Sequence, residues 1–96
     1  MDDDHPIEFP IDGTLDLHTF DSADVGELVP EYLEECRKKG ILQVRIVHGK
    51  GTGAMRERVH AILGRIPWVS SFRLAGEGGG GWGATLVFLD PPVNGG

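Results

Sequence analysis

The stretch Ile41-Leu-Gln-Val-Arg-Ile-Val-His-Gly-Lys-Gly-Thr-Gly53 decides how this chain is read. Residues 41–47 are an apolar run of strand length, and residues 54–66 repeat apolar side chains at helical spacing. The glycine-rich turn His48-Gly-Lys-Gly-Thr-Gly53 joins the two. Such a turn aims backbone N–H groups and the positive end of a helix dipole at one point, and Lys50 adds a formal charge, so it suits a phosphate or another anion. It is neither of the nucleotide fingerprints: no lysine follows the glycines as in G-x-x-x-x-G-K-S/T, and the third glycine of G-x-G-x-x-G is missing, so no nucleotide cofactor is expected. The same residues also read as a tight strand-to-helix turn with Thr52 as N-cap.

Working outward, Leu15 and Leu17 alternate with Asp16 and His18, which predicts a strand with the leucines on one face and the Asp-His pair on the other. Before it, Ile7, Phe9 and Ile11 alternate up to the hairpin signal Asp12-Gly13, so an extra N-terminal edge strand is expected, confined to an edge by Pro10. A helix follows, capped by Asp21 with Asp24 at N3, striped by Val25, Leu28, Val29, Tyr32, Leu33 and Cys36, and stopped by Gly40. Pro30 falls inside it and predicts a kink or two abutting segments. Strand, helix and strand close as a parallel unit with both C-terminal ends on one rim, which brings His18 and His48 near each other where open α/β sheets bind ligands.

Downstream, Met55, Val59, Ile62, Leu63 and Ile66 point inward from a second helix ended by Pro67, while Arg56, Glu57, His60 and Gly64 look outward. His60 reads as a solvated surface histidine. Residues 69–75 and 84–89 form an antiparallel pair, with Phe72 and Leu74 on one side of the first strand and Ser71 and Arg73 on the other. Six glycines in the eight residues 76–83 suit a flexible lid whose Trp82 stacks on a base, or equally a hairpin tip whose Trp82 folds back on the core.

Ninety-six residues make one domain, assigned to 12–90, with an acidic segment at 1–11 and a Pro/Gly-rich tail at 91–96 outside the core. The single cysteine, Cys36, excludes an internal disulfide and sits on an apolar helix stripe, where it reads as an inert core thiol. No signal-peptide pattern and no apolar run of membrane-spanning length are present, so a cytoplasmic protein without membrane contact is expected. The net charge of −6 is unevenly spread: residues 1–36 hold twelve acids and no Lys or Arg, whereas residues 37–73 hold nine Lys and Arg and one acid, Glu57. The basic half contains the glycine turn, which keeps phosphate recognition open despite the acidic total; the blander reading is that the two halves attract each other in the folded state.

Leu15-Asp-Leu-His18, His48-Gly-Lys-Gly-Thr-Gly53 and Gly80-Gly-Trp-Gly-Ala-Thr85, in this order and at these intervals, resemble the small MutS-related (Smr) domain over nearly the whole ordered chain. The resemblance implies a two-layer β-α-β-α-β-β fold, a mixed four-stranded sheet with two helices on one face, similar to the C-terminal domain of translation initiation factor 3. It also implies DNA-nicking or RNA-cleaving endonuclease activity, with Asp16, His18, His48, Gly49, Lys50, Gly51 and Gly53 in the active site. Thr19 follows His18 where the commonest family pattern has glycine.

Cutting a phosphodiester needs a base, an acid and positive charge or N–H donors for the developing charge on the phosphoryl oxygens. His18 oriented by Asp16 and His48 as its complement supply the first two, and Lys50 with the Gly51 to Gly53 amides holds the phosphate, with Gly49, Thr52, Arg56 and Trp82 contributing to nucleic-acid contact. On RNA the 2′-hydroxyl attacks and no cofactor is required. On DNA water attacks, and a weak dependence on Mg or Mn held by Asp16 and His18 is expected, since a lone Asp-x-His supplies few ligands. The competing readings are a non-catalytic nucleic-acid-binding or ribosome-associated module, and a protein interaction domain whose acidic half meets a basic partner.

Overall fold

Alternation along the two central strands sets the layers. The structure, a computed structural model, describes residues 11–49, 53–75 and 83–92. Among these the elements run β1 (Thr14–Asp16), α1 (Val25–Lys38), β2 (Gln43–Val47), α2 (Ala54–Leu63), β3 (Val69–Leu74) and β4 (Ala84–Leu89). They form one mixed sheet of four strands in the order β1-β2-β4-β3. β1 runs parallel to β2, and β4 lies antiparallel to both β2 and β3. The register places Leu15 beside Ile46, Ile46 beside Thr85, and Val44 beside Val87. These side chains therefore share one face, which both helices cover with Val25, Val29, Tyr32, Leu33 and Cys36 from α1 and Val59, Ile62 and Leu63 from α2. This is the expected four-stranded sheet with two helices on one face.

The termini of the helices depart from the sequence reading in ways that local hydrogen bonding explains. Asp21 makes a turn with Asp24, whose amide donates to the Asp21 carbonyl at 2.9 Å, so Asp24 becomes the N-cap and α1 starts at Val25. The bond that Pro30 cannot make, to the Gly26 carbonyl four residues back, does not divide α1, because its buried stripe continues on both sides of the proline. Gly40, at φ 81°, closes α1 with two bonds, Gly40 N–H to the Arg37 carbonyl at 3.0 Å and Ile41 N–H to the Cys36 carbonyl at 2.8 Å. That pair is a Schellman stop, and it turns the chain into β2. α2 ends at Leu63 rather than near Pro67, because Arg65 and Ile66 already bond three residues back in a tightened turn. The expected strand before Asp12-Gly13 lies outside the described residues.

β1 is short and at the edge, and a buried phenol fastens it. The Tyr32 hydroxyl accepts from Gly13 N–H at 3.1 Å and donates to the Thr14 carbonyl at 3.0 Å, tying α1 to the entry of β1. Burial pushes its pKa up to about 12, so it stays a neutral donor. Cys36 beside it is likewise pushed up to about 11, chiefly by burial, and is a core thiol as expected. Among the described residues no helix is long and apolar enough to cross a membrane. Replacing Tyr32→Phe leaves the Gly13 amide and Thr14 carbonyl without their partner, and is expected to lower stability by about 1–2 kcal/mol in urea unfolding.

Candidate active site where β1 and β2 end

The parallel pair β1-β2 ends at a shared rim, and the backbone there is committed in a definite way. Leu17 N–H donates to the Val47 carbonyl at 2.8 Å, which continues the β1-β2 ladder one step and sets the Leu17-His18 segment beside His48. The His48 and Gly49 amides both donate to the Gly83 carbonyl, at 2.8 and 2.9 Å. The glycine turn is thus tied to the start of β4, and the Gly49 amide is turned inward. Of the phosphate donors expected from the sequence, Gly49 therefore shapes the turn, at φ 86°, rather than pointing its own N–H at a ligand.

Alternation sends the two histidines of the rim to different environments. Asp16 and His18 are exposed, opposite the helix-covered face, as the leucine pattern indicated. One Asp16 carboxylate oxygen receives the His18 backbone N–H at 3.0 Å and lies 2.7 Å from His18 Nδ1. The His18 amide first, and then its ring, hold the Asp16 carboxyl below its usual range. An ionised carboxylate can only accept, so His18 Nδ1 carries the hydrogen and its Nε2 presents a lone pair outward. The two groups point at each other rather than at a common external point, and no three His, Cys, Asp or Glu among the described residues are arranged to hold a metal ion. By itself the pair supplies two ligands, too few for a tight metal site.

His48 lies on the helix side, 6% exposed. It does not meet His18 there: its Nε2 is 2.8 Å from the Thr85 hydroxyl, and its Nδ1 is 3.2 Å from the Gly49 carbonyl. His48 lines a cavity of about 280 Å³ together with Ser22, Gly49, Gly53, Ala54, Met55 and Arg56. This cavity lies against the start of α2, where the helix dipole is positive. Gly53 is the N-cap of α2, at φ 91°, in place of Thr52. A Cβ at Gly53 would stand 2.8 Å from the Arg56 guanidinium, so the glycine lets Arg56 fold over the helix start and face the cavity. Lys50, Gly51, Thr52 and Trp82 lie outside the described residues.

The sequence reading missed two members of this cluster. His60, expected on the surface, is half-buried: its Nε2 lies 2.8 Å from the same Thr85 hydroxyl, its ring centroid is 6.1 Å from that of His48, and Phe72 covers it at 5.0 Å. Thr85 is completely buried, on the same face as Val87 and Leu89. Both could have been suspected from the chain, since a hydroxyl at an inward strand position demands a partner and His60 stands one helical turn beyond Arg56.

With this geometry the known relatives can be placed. The Smr domain family profile matches residues 15–90. The chain belongs to the Smr domain family. This Smr domain is 40% identical over 76 residues to Endonuclease MutS2 of Clostridium novyi and 42% identical over 74 residues to that of Thermomicrobium roseum, covering 79% and 77% of the chain. It spans only about a tenth of the length of those relatives, 10% and 9%. Among solved structures it is similar to the Smr domain of Thermus thermophilus MutS2, with TM-score 0.78 and 40% identity over 83% of this chain and all of that one. It is also similar to YdaL, a stand-alone small MutS-related protein from Escherichia coli, with TM-score 0.77 and 25% identity over 86% of this chain and 68% of that one.

Burial, first of all, holds the His48 and His60 rings below the ordinary imidazole value of 6.5. Arg56 adds to both, and His48 adds to His60. The unfolded Smr domain therefore binds protons on these rings more readily than the folded one. Their contribution to stability is complete above the ordinary imidazole value and is lost as pH falls below it. The urea midpoint is expected to drop between about pH 7 and pH 5, and to drop less in His60→Gln, which removes one of the two rings.

Substituting Gly53→Ala imposes φ 91° on a residue with a Cβ and pushes the Arg56 guanidinium aside. It is expected to cost about 1–2 kcal/mol in urea unfolding.

Proposed function

We propose that this Smr domain cleaves phosphodiester bonds in nucleic acid, with the phosphate seated in the cavity at the start of α2. The observation that carries the reading is that cavity, which collects His48, Gly53 and Arg56 around a helix N-terminus at the rim where His18 emerges. Arg56 and the positive end of the α2 dipole supply charge for the phosphoryl oxygens, and Lys50 from the preceding turn adds a second cation. His18, with Asp16 holding its Nδ1–H, offers Nε2 as the general base on the other face of the rim, and the nucleic-acid strand must span the rim from the cavity for it to reach the attacking hydroxyl. His48 is the complementary acid for the leaving oxygen. Its 3.2 Å contact to the Gly49 carbonyl is the longest of the hydrogen bonds in the cluster, and a ligand oxygen in the cavity can replace it. With RNA the 2′-hydroxyl is the nucleophile and the products are a cyclic phosphate and a 5′-hydroxyl; with DNA the nucleophile is water.

A second reading, a module that binds nucleic acid without cutting it, is favoured by one observation. Both ring nitrogens of His48 already have partners inside the protein, as a purely structural histidine would.

The two readings separate when the chain is incubated with labelled single-stranded RNA and with supercoiled DNA, each with and without a chelator. Cleavage that falls about 10²- to 10⁴-fold in His18→Ala, while binding persists, identifies the nuclease. Binding with no cleavage in either protein identifies the module. Arg56→Ala is expected to weaken binding on either reading and to reduce the slope of log affinity against log salt by about 1. Failure of both RNA and DNA to bind at low salt would end the nucleic-acid assignment.

A further inference from the structure

Three side chains from three elements meet under the cavity: His48 after β2, Thr85 in β4 and His60 in α2. The Thr85 hydroxyl is fully buried and has an imidazole Nε2 at 2.8 Å on each side. Satisfying one buried hydroxyl requires a single partner, so a second histidine is more than burial demands.

The hydrogens in this cluster can be assigned from one end. His48 Nδ1 faces the Gly49 carbonyl, which only accepts, so Nδ1 carries the hydrogen of the neutral ring and Nε2 is bare. Bare Nε2 must receive the Thr85 O–H. A hydroxyl has one hydrogen, so its remaining contact is as acceptor, and His60 Nε2 carries the hydrogen there. The Nδ1 of His60 is then the open end of the chain, with no hydrogen-bond partner among the described residues.

We propose that His60, Thr85 and His48 form a proton relay, in which His60 exchanges a proton with the exterior and the Thr85 hydroxyl hands it to His48 on the cavity wall. The step balances atom by atom. A proton added to His60 Nδ1 makes that ring an imidazolium. Its Nε2 proton moves to the Thr85 oxygen as the Thr85 hydroxyl proton moves to His48 Nε2. His60 is left neutral with its hydrogen on Nδ1, Thr85 remains a hydroxyl, and His48 becomes the imidazolium with both nitrogens protonated. The positive charge has moved across one threonine and no other bond has changed.

The charged groups facing the relay are Arg56 and Glu57 on α2, and Phe72 closes it from β3 without charge. Arg56 and the second ring both oppose a second proton, so the relay carries one at a time. Delivery of that proton to a leaving oxygen rests on the nuclease reading above, whereas the relay itself does not.

Ring-nitrogen NMR of the ¹⁵N-labelled full chain through a pH titration tests this directly. The expected result is neutral His48 with its hydrogen on Nδ1, neutral His60 with its hydrogen on Nε2, and two titration curves that are mutually biphasic. Thr85→Val, of nearly the same shape, is expected to shrink the coupling to the charge repulsion between the two rings; Thr85→Ser to keep it whole; and His60→Gln to leave His48 with a single step. Finding His48 with its hydrogen on Nε2, or curves unchanged by Thr85→Val, overturns the proposal. Should Thr85→Val fail to fold, the tautomers of the unsubstituted chain and the His60→Gln titration decide alone.

With labelled single-stranded RNA, Thr85→Val is expected to slow cleavage by at least about tenfold and to shift the acidic limb of the rate profile, with Thr85→Ser restoring both. Thr85-dependent coupling in a chain that cuts nothing upholds the relay and removes the nuclease reading. Coupling that does not depend on Thr85, in a chain that cuts, does the reverse.

Discussion

The pairing of β2 on both of its edges is the constraint from which the rest follows. With β1 parallel on one side and β4 antiparallel on the other, β2 delivers its C-terminal end to a place where three chain segments must share hydrogen bonds. They do so through two carbonyls: Val47 receives Leu17, and Gly83 receives both His48 and Gly49. Those bonds fix where the glycine turn begins, and hence where α2 starts and where its positive end points. Residues far apart in sequence, His18, His48, Arg56 and Thr85, owe their common neighbourhood to this one junction.

Side-chain alternation then divides the rim chemically. The face away from the helices carries a hydrated dyad, in which Asp16 fixes the tautomer of His18 and leaves one nitrogen outward. The covered face carries a buried polar cluster inside an otherwise apolar layer. Low local dielectric makes that cluster sensitive: an unpaired group there would be costly, and a second positive charge more so. A single hydroxyl serving two imidazoles meets the first requirement, and the depressed basicity of both rings reflects the second. The division also gives the two histidines of the motifs different surroundings, exposed on one side and buried on the other.

The relatives extend this picture to a family whose matched members include long MutS2 chains, named as endonucleases, and a short stand-alone protein. The shared part is the four-stranded sheet with its two helices. Nothing in the chemistry proposed for the rim calls on a second domain, since every group it uses comes from the family-matched residues 15–90.

The amino-acid sequence by itself determined the order and type of the elements, the buried stripe of each helix and the two sides of β1. These depend on local periodicity and on breakers such as Gly40, which act within a few residues of where they stand. It also determined the Asp16–His18 pair, because residues two apart on a strand necessarily share a face. The tertiary structure alone decided what His48 and His60 touch. Helix periodicity turns His60 away from the apolar stripe, but whether that direction leads to water depends on whether another element stands there, and β3 and β4 do, with Phe72 and Thr85. His48 in turn was separated from His18 because the rim brings their backbones together while alternation sends their rings to opposite faces. Proximity along a rim is a property of backbone pairing, whereas contact between side chains is settled by which face each occupies, and only the assembled sheet fixes both.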